Sequence, residues 1–119
     1  MKEDKLEKGT DVVFEGGPTK SKVEDWKKKF NSNVFMVEFE EQVFIFRSLS
    51  RLEYKKILNV EGSSSEWSNE ERVCETCILW PEDYGHNEII NDKAGIASRL
   101  SEFIMEKSGF VPTSDAIKL

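Results

Sequence analysis

The stretch Val34-Phe35-Met36-Val37-Glu38-Phe39-Glu40-Glu41-Gln42-Val43-Phe44-Ile45-Phe46-Arg47 decides the fold. Phe35, Val37 and Phe39 alternate along its first run, and Val43-Phe44-Ile45-Phe46 is apolar on both faces. Aromatic and β-branched residues at period two favour strands, so Val34 to Arg47 reads as a β-hairpin. The turn at Glu40-Glu41 lacks Gly, Asn and Asp, so its residues do not specify its type. A lone hairpin is marginal in water, and helices or a partner strand must cover it.

Working outward, Ser21 to Phe30 reads as a short helix, with Val23, Trp26 and Phe30 on one face and lysines on the other. Asn31-Ser32-Asn33 breaks that pattern. Ser50 and Glu53 form a capping box, with Leu49 and Tyr54 at the staple positions, and a second helix follows through Ile57 and Leu58. Gly62-Ser63-Ser64-Ser65 marks a loop. Ser68 and Glu71 repeat the capping box, and Val73, Cys74, Cys77, Ile78 and Trp80 recur at helical spacing until Pro81 closes the segment. Glu82 to Glu88 reads as a polar loop. A fourth helix runs from about Asp92 to Lys107, with Ile96, Leu100, Phe103 and Ile104 on one face. Ser108-Gly109-Phe110 is its stop: Gly109 suits the left-handed position and Phe110 folds back onto Met105.

The expected class is α+β, a small β-hairpin or sheet packed against three to four α-helices, with a flexible N-terminal arm. Residues 1–20 are the arm, 21–112 a single globular domain and 113–119 a C-terminal tail. Within the arm, Val12-Val13-Phe14 is an apolar island suited to adding to a sheet edge or a partner.

The 119 residues suffice for one core. A net charge of -6 argues against non-specific attraction to nucleic acid or an anionic membrane. Residues 1–33 hold 8 Lys+Arg against 7 Asp+Glu, and the remainder 9 against 16, so the acidity belongs to the folded part. Lys27-Lys28-Lys29 is the one dense basic run, and Glu24-Asp25 stands directly before it. No apolar run approaches the roughly 20 residues that cross a bilayer. The charged start, Met1-Lys2-Glu3-Asp4-Lys5, has no apolar core behind it, and two cysteines make no disulfide framework, so a reducing, intracellular compartment is expected.

Five groups of residues are candidates for chemistry or binding. Cys74-x-x-Cys77 reads as a redox pair, a metal site or two small apolar residues on a packed helix face. A redox pair belongs at a helix start, whereas this one lies about two turns beyond the Ser68 cap. Zinc takes about four Cys or His ligands, and the chain has two Cys and one His. The packed face is therefore favoured. His86, in Asp83-Tyr84-Gly85-His86-Asn87, has no nucleophile motif to serve and reads as a solvated loop residue. Glu70 and Glu71 suit the first turn of a helix, and Glu38, Glu40 and Glu41 a solvated turn. Gly16-Gly17-Pro18 lacks the Lys-Ser/Thr of a phosphate loop. The aromatic block Trp26, Phe30, Phe35, Phe39, Phe44 and Phe46 lies among mixed charges, which favours a core or a protein interface over base stacking.

Taken in order, these motifs resemble a known pattern. Trp26-Lys27-Lys28-Lys29-Phe30, the aromatic hairpin, and Phe44-Ile45-Phe46-Arg47-Ser48-Leu49-Ser50-Arg51-Leu52-Glu53-Tyr54 resemble small tail-assembly proteins of contractile-tailed (T4-like and SPO1-like) bacteriophages. So do the acidic helix Glu70 to Pro81, Ala94-Gly95-Ile96-Ala97-Ser98-Arg99-Leu100 and Ser108-Gly109-Phe110. The resemblance covers about residues 23 to 110. The chain departs from it in a long N-terminal arm and in Asn31, where a glycine is expected. The resemblance implies a tail assembly chaperone or baseplate-hub assembly protein, binding tape measure or hub proteins in the host cytoplasm without catalysis or cofactor. A structural baseplate or hub subunit retained in the virion is the alternative, and a small thiol- or metal-dependent protein using Cys74 and Cys77 a second. The expected partners are phage tail proteins rather than nucleic acid or membrane, and a homo-oligomer is compatible with them. The expected contact residues are Trp26, Phe30, Val12, Val13, Phe14 and Trp67.

Overall fold

A computed structural model describes residues 11–59, 68–110 and 117–119. Among them are five helices and a three-stranded antiparallel sheet, so the architecture is α+β. The chain divides into two compact units, each discontinuous in sequence.

The first unit runs to Arg47 and takes in Ile78–Asp83. Helix α1 spans Lys20–Lys29. Thr19 caps it, its side chain accepting from the Lys22 N–H at 3.1 Å, and Lys27, Lys28 and Lys29 fill the last turn, where cations favour the helix dipole. Strands β1 (Val34–Phe39) and β2 (Gln42–Arg47) form the expected hairpin. Phe35 packs on Phe46, and Phe39 on Phe44, with ring centroids 5.6 Å apart in both cross-strand pairs. Phe44, Ile45 and Phe46 are buried. The two turn residues take φ of 54° at Glu40 and 60° at Glu41. This is the double left-handed geometry whose twist matches the strands, adopted without the usual Asn or Gly.

Residues Ile78–Trp80 correct the expected third helix. They form strand β3, antiparallel to β2, with Trp80 opposite Ile45 and Ile78 opposite Phe46. The sheet order is β1-β2-β3, so the hairpin is not alone. The second edge of β2 supplies backbone partners that local periodicity cannot reveal, and an apolar triplet with β-branched Ile78 and aromatic Trp80 takes them.

The second unit comprises Ser48–Cys77 and Tyr84–Leu119. Helix α2 (Arg51–Leu58) starts at the full Ser50–Glu53 capping box. Helix α3 (Asn69–Cys77) starts at the matching Ser68–Glu71 box, with both reciprocal bonds at 3.1–3.2 Å. The expected Glu82–Glu88 loop is interrupted by helix α4 (His86–Asn91), entered where Glu88 accepts from the Gly85 N–H at 2.9 Å. Helix α5 spans Ala94–Lys107, beginning two residues later than expected because Asp92 ends α4. Val73, Cys74 and Cys77 of α3, Ile89 of α4, and Ile96, Leu100 and Ile104 of α5 are buried, and α3 packs on both α4 and α5. At the end of α5 the Phe110 N–H reaches the Met105 carbonyl and the Gly109 N–H reaches Glu106. This 6→1 and 5→2 pairing closes the helix around Gly109, whose φ of +100° suits glycine.

Candidate protein-interaction surface

The expected contact residues fall mainly in the first unit. Within the expected arm, the described residues from Asp11 onward make a closed turn. Val12 bridges Thr19, the Val13 N–H donates to the Pro18 carbonyl at 3.0 Å, and the Lys20 N–H donates to Asp11 at 2.8 Å. Phe14 folds over Gly17, where a Cβ would come within 2.5 Å of its ring, so only glycine fits. Val12, Val13 and Phe14 are partly exposed, and the turn uses backbone groups of all three. Trp67 lies outside the described residues.

Trp26 and Phe30 are brought together with Val23 on one stripe of α1, and the helix has no buried residue. A capped helix whose apolar stripe is only partly covered is the form in which partner proteins read i, i+3 and i+7 anchors. Two fixings hold α1 within its unit. Lys22 pairs with Glu82, and the Phe30 ring lies under two cations, with Arg47 4.9 Å and Lys29 5.5 Å from its centroid.

The chemical candidates lie in the second unit. Cys74 and Cys77 form no disulfide and have no solvent exposure. Cys74 donates from Sγ to the Ala97 carbonyl at 3.4 Å. Burial pushes its thiol up to about 12, reinforced by Cys77, Glu70 and Glu71. It is a protonated thiol at neutral pH, and the nucleophile and the metal ligand are both thiolate. The packed-face reading accounts for both cysteines.

His86 is not the solvated loop residue expected of it. It begins α4, with its side chain largely covered, and Nε2 lies 4.0 Å from Glu71 Oε1. That carboxylate is already held by the Ser68 N–H. Tyr84 donates to Asp92 at 2.6 Å, and its phenol is raised by burial first and then by that hydrogen bond and nearby negative charge. Glu70 accepts from Ser98 Oγ at 2.8 Å. These pairs tie α3, α4 and α5 together, and none places a deprotonated nucleophile beside a base. Among the described residues no group of three or more His, Cys, Asp or Glu is placed to hold a metal ion.

One feature escaped the reading of the sequence. Leu49, Ser50, Arg51, Tyr54, Ser108, Gly109 and Phe110 line a cleft of 180 Å³. The Phe110 ring lies 4.9 Å from Tyr54, and Ser108 Oγ accepts from the Leu49 N–H at 2.8 Å. The cap signals at Ser50 and Gly109 mark its two sides, but their meeting is a tertiary event. Small-molecule sites run about 300–1,000 Å³, so this cleft is undersized for one.

No helix among the described residues is long and apolar enough to cross a membrane. Comparison with protein-family models, with curated proteins and with solved structures finds no match to this chain.

Proposed function

We propose that this chain is a non-enzymatic protein of bacteriophage tail or baseplate assembly that binds tape measure or hub proteins during virion building. The observation that carries the binding role is α1, a regular, capped helix with no buried residue and an apolar stripe of Val23, Trp26 and Phe30. The non-enzymatic part rests on the buried, protonated Cys74 and on a single histidine held among structural pairs. The phage-tail part rests on the order of motifs from Trp26 to Phe110.

Co-expression with the tape measure and hub proteins of the same phage tests the reading. Co-purification is expected with one of them, and Trp26→Ala should weaken capture about tenfold or more, as loss of an aromatic anchor does. Failure to capture either protein sinks the proposal. Mass spectrometry of purified virions then separates an assembly chaperone, absent from mature particles, from a retained structural subunit.

A further inference from the structure

The two edges of the sheet are built differently. The β3 edge is short, with three residues, a register shift between Ile45 and Phe46, and Pro81 immediately after it. Shortness, irregularity and a residue without an N–H are the devices that blunt an edge. The β1 edge has none of them. Its six residues pair with β2 in unbroken register, it contains neither Pro nor Lys, and Met36 is 60% exposed. Among the described residues no further strand pairs with it.

The hairpin fixes which groups face outward. Across a two-residue turn, Phe39 and Gln42 form a hydrogen-bonded pair, and pairs alternate along the ladder. Val37–Phe44 and Phe35–Phe46 are then hydrogen-bonded pairs. Val34, Met36 and Glu38 fall in the pairs between, so their N–H and C=O groups point away from β2.

Charge along this edge is polarised. At the Val34 end, Arg47 is the register partner of Val34, and Lys29 converges with it on the Phe30 ring. At the other end stand Glu38, Glu40 and Glu41, all exposed. A uniformly acidic or basic segment would meet like charge at one end. An antiparallel copy of the same edge meets opposite charge at both.

We infer that β1 is a self-association edge, and that two copies of the chain pair antiparallel through it to give a continuous six-stranded sheet. The outward groups set the register: Met36 opposes Met36 of the second copy at the two-fold axis, and Val34 opposes Glu38 on either side. Glu38 of one copy then lies beside the cationic end of the other, and the exposed Met36 side chains cover each other. The inference is independent of the phage-assembly proposal, which uses α1.

Sedimentation velocity on the full chain tests it. One strand pair buries less than the roughly 1,000 Å² of a stable interface, so the dimer belongs in the micromolar range or weaker, and loading should span about 1 µM to 1 mM at low salt. The expected result is a concentration-dependent rise from monomer to dimer mass that weakens with added salt. Met36→Pro removes an outward N–H at the axis and should weaken dimerisation at least about tenfold. Met36→Lys sets two ammonium groups against each other there and should do the same. Its side chain already stands in solvent, so it decides the matter if the proline variant does not fold. Circular dichroism verifies each fold. A monomer throughout the range overturns the inference, as does a dimer undiminished in folded Met36→Lys.

Discussion

Helices α1 and α5 are both regular and both carry an apolar stripe, yet they use it in opposite ways. In α5 the stripe Ile96, Leu100 and Ile104 is fully buried. In α1 the stripe Val23, Trp26 and Phe30 is covered only in part, and no residue of the helix is buried. Periodicity alone cannot tell the two apart, because a 3.6-residue stripe says that a face is apolar and not what covers it. The difference divides the molecule into a region whose side chains maintain the fold and a region that keeps apolar surface in reserve.

The largest test of that contrast sets Leu100→Ala against Trp26→Ala. Leu100 has no solvent exposure, so truncation leaves a cavity and should cost about 2–5 kcal/mol in urea unfolding. Trp26→Ala removes a larger side chain but should cost less, roughly 1–2 kcal/mol, because the site is open to water on one side and truncation leaves no closed cavity. Equal costs would mean that α1 is part of the core, and the contrast would fail.

A second test uses pH on the core side. The Cys74 thiol lies at about 12 when folded, against an ordinary value of 9.0. Its folded pKa is raised, so its contribution is fully present below pH 9 and is lost as pH rises towards 12. In that window the unfolded chain binds fewer protons than the native one, and stability should fall by roughly 1 kcal/mol per pH unit from this group. Cys74→Ala should flatten the slope of stability between pH 9 and 11 relative to the parent chain. An unchanged slope would show that the thiol is not desolvated as its burial requires.

How far these regions were legible in the sequence follows from how local their causes are. The hairpin, both capping boxes and the Gly109 stop are set by residues within a few positions of one another, and all were readable. Strand β3 was not, because Ile78-Leu79-Trp80 continues the helical spacing of Val73, Cys74 and Cys77. Only its pairing with β2, more than thirty residues away in sequence, makes it a strand. Helix α4 was missed because six residues with one buried side chain, Ile89, carry almost no periodic signal, and Gly85 offers no capping side chain. His86 was misplaced with it. For the candidate surface, the stripe from Val23 to Phe30 was visible, but its incomplete cover among the described residues is a tertiary property that periodicity does not carry. The open β1 edge was likewise invisible until the third strand was located on the far side of β2.

The turn between β1 and β2 provides the third test, on the reserve side. Glu40 and Glu41 hold positive φ at a cost that Asn and Gly avoid. The double change Glu40→Asn, Glu41→Gly should raise stability by about 1 kcal/mol in thermal or urea unfolding. It also removes two of the three carboxylates from the acidic end of the β1 edge. The same variant should therefore fold more tightly and self-associate more weakly, separating what the turn does for the hairpin from what it does for a partner.

The smallest effect is expected at Phe30, where Arg47 and Lys29 share one ring. Arg47→Met keeps the apolar reach of the side chain and removes the guanidinium's attraction to the ring. At a partly exposed site this is about 0.5–1 kcal/mol. Its loss should appear as that decrease in stability and as increased mobility of α1, read by faster amide exchange from Lys27 to Phe30. Exchange in α5 should be unchanged. The measurement distinguishes two ways of holding α1: by the Phe30 stack, in which case the helix loosens, or by cover over its apolar stripe, in which case it does not. In the second case the stripe would be part of the fold, and less of it would be available to a partner.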